Sequence, residues 1–231
     1  AMAIVREYVK GENLINHMLS VEAAMRFYAE KHHEDVNLWG ITGLLHDFDW
    51  EIHPTADDHP SAGEPILRSK GVPEIIIQAI LSHGSAGSVP RDTLLRKALY
   101  ACDEITGLIT AVALVRPSRS LYDLTSASVK KKWKDRAFAA GANREEISQA
   151  AADFGVDLWE HVDNVIISMR TIALQLGLEV NLSSTTWSTS RWKEFECRSK
   201  GKGFLSGKLS TVRVEIHPPL RLPPKQPATP T

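Results

Sequence analysis

The apolar run over residues 38–45, Leu-Trp-Gly-Ile-Thr-Gly-Leu-Leu, ends abruptly in the doublet His46-Asp47. A segment this apolar has to be buried. The carboxylate it delivers into the interior then needs a cation or several hydrogen-bond donors, because an uncompensated buried charge is prohibitively expensive. A metal ion supplies that cation. The doublet also has company: His17 precedes it, and His59, His83 and Asp103 follow. Imidazole and carboxylate are the ligands that bind first-row transition metals, and this set is expected to build one buried centre.

The spacing of apolar residues predicts helices over residues 1–179 and no β-alternation or internal repeat. Leu14, His17, Val21, Ala24 and Tyr28 recur at helical spacing and form one inward stripe that includes a histidine. Residues 38–45 are a short buried helix, followed by an acidic, proline-bearing loop over 47–60. A third helix is expected over 61–70, closed by Gly71. Pro73 opens the next at its first turn, and this helix ends at His83-Gly84. Residues 91–115 form a long amphipathic helix carrying Asp103, stopped by Arg116-Pro117. The basic stretch 126–136 is a helix or helix pair. Asn143, with Glu146 three residues on, opens a helix expected to run unbroken to Leu176, before Gly177.

Residues 180–231 differ in kind, being rich in Ser, Thr, Gly and Pro. A hairpin over 204–216 is the most structure expected of them, and their end reads as extended or disordered. The remaining composition is that of an ordinary globular chain. A formal net charge of −1 gives no global bias toward nucleic acid or membrane. Two cysteines, Cys102 and Cys197, make no disulfide framework and suit a reducing cytoplasm. The N-terminal Ala-Met-Ala-Ile-Val-Arg has neither the charged start nor the apolar core of a secretory signal, and no apolar stretch approaches the ~20 residues of a membrane span. The expectation is a cytoplasmic protein, with a homodimer compatible with this composition.

The motif pattern resembles the HD superfamily of metal-dependent phosphohydrolases. That family is named for His…His-Asp…Asp, matched here by His17, His46-Asp47 and Asp103. Gly43-Leu-Leu-His-Asp47 is a typical form of its central motif, and Ala101-Cys-Asp-Glu-Ile105 is similar to its closing segment. His59 and His83 match the extra histidine pair of the two-metal members; His53 competes with His59, but His59-Pro-Ser-Ala-Gly63 resembles the family's His-then-Gly segment. The resemblance covers residues 13–110 by motif. It implies an all-α HD-domain helical bundle with the metal at its centre. Asp47 would bridge two divalent transition ions (Mn, Fe, Co or Ni favoured, Zn or Mg admissible). His17, His46 and Asp103 would hold one ion, and His59 and His83 the other. A single-metal version using only His17, His46, Asp47 and Asp103 stays open.

Beyond the ligand set, Asp49 and Glu51 are candidate acid/base residues, since related single-metal enzymes place a carboxylate just after the doublet; an acidic solvated loop is the competing reading. Glu104 is expected to point away from its neighbour Asp103, and His32, His33, His161 and His217 are expected at the surface. Arg116, Arg119, Lys130, Lys131 and Lys134 are candidates for binding an anionic substrate at the metal mouth. Trp133 alone among these charges is too little aromatic content for a nucleic-acid groove. The expected activity is hydrolysis of a phosphate ester, monoester or diester, of a nucleotide or small phosphorylated metabolite. A di-iron oxygenase on the same scaffold and a non-catalytic nucleotide-sensing domain are the alternatives.

Overall fold

The computed structural model describes residues 1–84 and 89–179. Nine α-helices and no strand form among them. The segment beyond residue 179, with its expected hairpin, Cys197 and His217, lies outside the described residues.

A short α1 (Met2–Tyr8) leads into α2 (Glu12–His32), whose inward face carries Ile15, Met18, Val21, Met25 and Tyr28, each at most 1 % exposed. His33, in the left-handed region at φ 59°, ends α2 and turns the chain back. Asp35 then opens α3 (Val36–Leu45) by accepting the amides of Asn37 and Leu38. Glycine lets α3 lie flush on α2. A Cβ at Gly43 would stand 3.0 Å from the backbone of Val21 and Glu22 and 2.9 Å from Met25 Cγ. That close approach brings the end of α3, and with it His46, beside His17.

The 47–60 loop packs inward through Phe48 and Asp49 rather than standing off in solvent. The helix expected over 61–70 is a 3₁₀ turn, Ser61–Gly63, continuing into α4 (Glu64–Ser69). Pro73 precedes α5 (Glu74–His83), and Thr93 caps α6 (Leu94–Leu114). Both helices turn apolar faces inward, with Ile77, Ile80, Leu99 and Ile105 fully buried in the same core as Leu45 and Phe48.

After α7 (Ser126–Trp133), the single helix expected from Asn143 to Leu176 is instead two. α8 (Arg144–Phe154) closes on Gly155 at φ 82°, and Asp157 caps the start of α9 (Leu158–Arg170) by accepting the amides of Trp159 and Glu160. A glycine stop and an aspartate start therefore interrupt an apolar pattern that continues on both sides. Nor is His161 at the surface. It is wholly buried between α2, α6 and α9, where Tyr28 Oη donates to its Nδ1 (2.6 Å) and its Nε2 donates to the Ala101 carbonyl (2.8 Å). Among the described residues, no helix is long and apolar enough to cross a membrane.

Candidate metal centre

Four helix ends or faces and one loop converge on a single point. α2 contributes His17, the end of α3 His46-Asp47, the following loop His59, the last residue of α5 His83, and the middle of α6 Asp103. These six side chains form two groups that could each hold a metal ion: His17, His46, Asp47 and Asp103, and Asp47, His59 and His83.

Asp47 belongs to both groups, and it does so through different oxygens. Its Oδ2 lies 3.3 Å from His46 Nε2 and 3.5 Å from His17 Nε2. Its Oδ1 lies 3.1 Å from His59 Nε2 and 3.4 Å from His83 Nε2. Asp103 Oδ1 completes the first group, 3.0 Å from His17 Nε2 and 3.4 Å from His46 Nε2.

Every histidine in the set is held by its other ring nitrogen. His46 Nδ1 donates to the Gly43 carbonyl (2.8 Å), and His83 Nδ1 to the Ile80 carbonyl (2.5 Å). His59 Nδ1 donates to Asp49 Oδ1 (2.9 Å), and His17 Nδ1 to Thr106 Oγ1 (3.3 Å), whose own proton goes to the Asp103 carbonyl. In neutral imidazole the proton therefore sits on Nδ1, and each Nε2 presents a bare lone pair to the cluster. Two such lone pairs face each other at 3.2 Å between His17 and His46, and at 3.0 Å between His59 and His83. Acceptors this close repel unless a cation lies between them. Donors held about 2.1 Å from a common ion stand roughly 3.0–3.4 Å apart, which is the spacing found here, so the residues fit a metal.

The electrostatics point the same way. Burial would raise Asp47, but the imidazoles around it, His46 foremost, hold it well below the usual carboxylate range. Burial would lower His46, yet Asp47 and Asp103 hold it well above the ordinary imidazole value. His59 behaves similarly: burial works against its charged form, but Asp47 and Asp49 lift it to about 9. Without a metal the carboxylates favour protons on the His46 and His59 rings, and a divalent cation would take the place of those protons.

Of the acid/base candidates, Asp49 is brought to the site but faces away from its opening. It is fully buried, bonded to His59 and packed against Gly63, where a Cβ would meet its carboxylate at 2.7 Å. It orients His59, in the way carboxylates commonly support metal-bound histidine. Glu51 is not brought in: its carboxylate accepts the amides of Lys10 and Gly11 at the start of α2, both at 2.8 Å. His53 does not join either donor group.

Beside the second donor group lies a cavity of about 250 Å³, walled by Trp50, Tyr100, Glu104 and Glu146. Glu104 is a correction, for it borders this cavity instead of pointing away. Burial pushes its carboxyl up to about 7, while the Asn143 amide bonded to it works in the other direction. The signal was present in Tyr100, Asp103 and Glu104, whose i, i+3, i+4 spacing places all three along one side of α6. Glu146, on α8, carried no such signal.

Among the described residues, none of Arg116, Arg119, Lys130, Lys131 and Lys134 lines this cavity. Arg116 follows the C-terminal end of α6, about 20 Å along the helix from Asp103 at 1.5 Å per residue. There it pairs with Asp123 (2.8 Å) and Ser128 (2.9 Å). Lys130 lies over the Trp159 ring.

No solved structure matches the chain. The family model for the HD domain matches residues 14–108, a span that contains all six side chains of the two donor groups. Residues 14–108 thus match an HD domain, which is consistent with the HD superfamily of metal-dependent phosphohydrolases.

Proposed function

We propose that this chain hydrolyses a phosphate ester of a nucleotide or small phosphorylated metabolite, using two divalent metal ions that share Asp47. The observation carrying the proposal is the division of Asp47, one oxygen toward His17 and His46, the other toward His59 and His83. Bound there, divalent ions supply Lewis acidity toward phosphoryl oxygens and lower the pKa of water to near neutrality. The protein's own contribution is positional. Thr106, Gly43, Asp49 and Ile80 fix the four rings so that no reorganisation is needed when substrate arrives. Asp103 holds the first group together from α6, and the cavity beside Trp50 and Tyr100 gives the alcohol part of the ester a place to lie.

The test is turnover of a panel of phosphomonoesters and phosphodiesters with Mn, Fe, Co, Ni, Zn or Mg added separately, together with metal stoichiometry. The expected result is two ions per chain in the active sample, and loss of turnover in Asp47→Ala with helical content retained. Undiminished activity in metal-free Asp47→Ala protein overturns the proposal, and one ion per chain at full activity overturns its two-metal form.

A further inference from the structure

Substrate phosphate is an anion, yet the cavity over the candidate metal centre carries negative side chains and, among the described residues, no lysine or arginine. Two arginines beside the wall residues have their guanidinium groups bonded to backbone carbonyls. Arg91 donates through Nε to the Ser82 carbonyl (2.7 Å) and through Nη2 to the carbonyls of His83 and Gly84, with its guanidinium 3.5 Å from the Tyr100 ring centre. Arg144 turns its guanidinium to the carbonyls of Phe138, Ala139 and Ala142.

Asp47 and Asp103 face the metal positions, so their charge is spoken for. Glu104 and Glu146 stand outside the donor groups, and both are held by neutral partners. Glu104 accepts the Asn143 amide at 2.9 Å. Glu146 accepts Asn143 Nδ2 at 2.6 Å and the Tyr100 hydroxyl at 3.4 Å. Asn143 is also the cap of α8, accepting the amides of Glu145 and Glu146, so one well-anchored residue fixes both carboxylates at the cavity wall.

We propose that Glu146, with Glu104 beside it, makes this mouth select phosphate esters whose alcohol part is cationic or hydroxylated, and reject esters carrying a second phosphate. The inference rests on the phosphohydrolase reading, with the ester phosphate at the metals and the alcohol in the cavity. An ammonium or hydroxyl group there donates to fixed carboxylate oxygens. A second phosphate meets the Glu146 carboxylate where, among the described residues, no lysine or arginine lines the cavity, and juxtaposed like charges are a strong element of discrimination.

Three esters on one two-carbon skeleton test this: 2-aminoethyl phosphate, 2-hydroxyethyl phosphate and ethane-1,2-diol bisphosphate. The expected kcat/KM falls in that order, with the bisphosphate at least about tenfold below the amine, a gap that narrows as salt rises. Glu146→Gln keeps one acceptor oxygen for Asn143 Nδ2 and turns an amide N–H toward the Tyr100 hydroxyl oxygen, but removes the charge. It is expected to lower kcat/KM for the amine and raise it for the bisphosphate, a crossing that simple loss of structure does not produce. The corresponding phosphonates, which cannot be hydrolysed, are titrated calorimetrically into Mn-loaded protein as a readout independent of turnover. A bisphosphate handled as well as the amine, or a ratio unmoved by Glu146→Gln, overturns the inference. Phosphonates that bind in the expected order while no ester is cleaved overturn the hydrolase reading and leave the charge selection standing.

Discussion

His161 ties the frame of the site together, and its burial makes a quantitative prediction about acid stability. It links Tyr28 on α2, the helix that carries His17, to the carbonyl of Ala101 on α6, the helix that carries Asp103. Burial lowers its pKa from 6.5 to about 4, with the Ala101 bond acting in the opposite sense and Lys31 adding slightly to the lowering. Burial likewise pushes the Tyr28 phenol up, so Tyr28 stays protonated and donates to His161 Nδ1. Above pH 6.5 the ring is neutral in both folded and unfolded chains and favours neither. As the pH falls below 6.5, the unfolded chain takes up the proton that the folded chain refuses, so stability is lost. The loss stops growing below about pH 4, where the folded ring is protonated as well. The full depression corresponds to about 3 kcal/mol, of which about 2 kcal/mol is gone at pH 5. That is a large share of a total near 5–15 kcal/mol. The assay is urea unfolding between pH 8 and pH 4 of the chelated protein and of the double variant Tyr28→Phe/His161→Leu. Removing both polar partners avoids leaving one of them orphaned. Titration of the metal-site histidines and the surface carboxylates is common to both proteins and cancels in the difference. The variant is expected to lack about 2 kcal/mol of the wild-type loss at pH 5. Identical pH profiles, or a difference that develops above pH 6.5, would refute the reasoning.

Other perturbations separate the parts of the site. Asp49→Asn keeps an oxygen for His59 Nδ1 but removes the negative charge, and is expected to weaken metal binding at the His59–His83 group by about 10–100-fold, measured calorimetrically, with the His17–His46 group less affected. Gly43→Ala forces a Cβ against the backbone of α2 and is expected to destabilise the fold by about 1–3 kcal/mol in urea titrations, with metal affinity falling because His46 bonds to the carbonyl of the same residue. Chelation of a loaded sample is expected to reduce stability by about 4 kcal/mol when the free metal had stood at 1,000 times its dissociation constant, and a melting temperature indifferent to chelator would contradict the convergence of lone pairs.

The side chains of the candidate metal centre stand out in the sequence because each is a polar group placed where the helical pattern demands burial. His46-Asp47 ends an apolar run, His83 ends the apolar α5, and Asp103 interrupts the apolar stripe of α6. Burial is a property of periodicity, and periodicity is local. The α8–α9 break was harder to read for the same reason. The apolar period resumes with Val162, Val165 and Ile166, so the pattern runs across Gly155 and Asp157 even though these two residues state the stop and the restart. His161 shares that stripe, four residues before Val165, and its burial could have been read from it.

The charges around the site were much less legible, because a charge declares its sign in the sequence but its place only in the fold. Basic residues close in sequence to Asp103 suggested a cationic mouth, yet the end of α6 carries Arg116 away from the centre, where Asp123 engages it. Glu146 travels in the opposite sense. It is remote from the HD motif in sequence, outside residues 14–108, and reaches the cavity because Asn143 bonds Glu104 across the α6–α8 contact. The HD domain thus supplies the donor set, and a helix beyond it supplies part of the wall against which a substrate would lie. On the proposed phosphohydrolase reading the same centre would serve different esters as that wall changes, and a substrate preference is to be sought at Glu104 and Glu146 before the candidate metal ligands themselves.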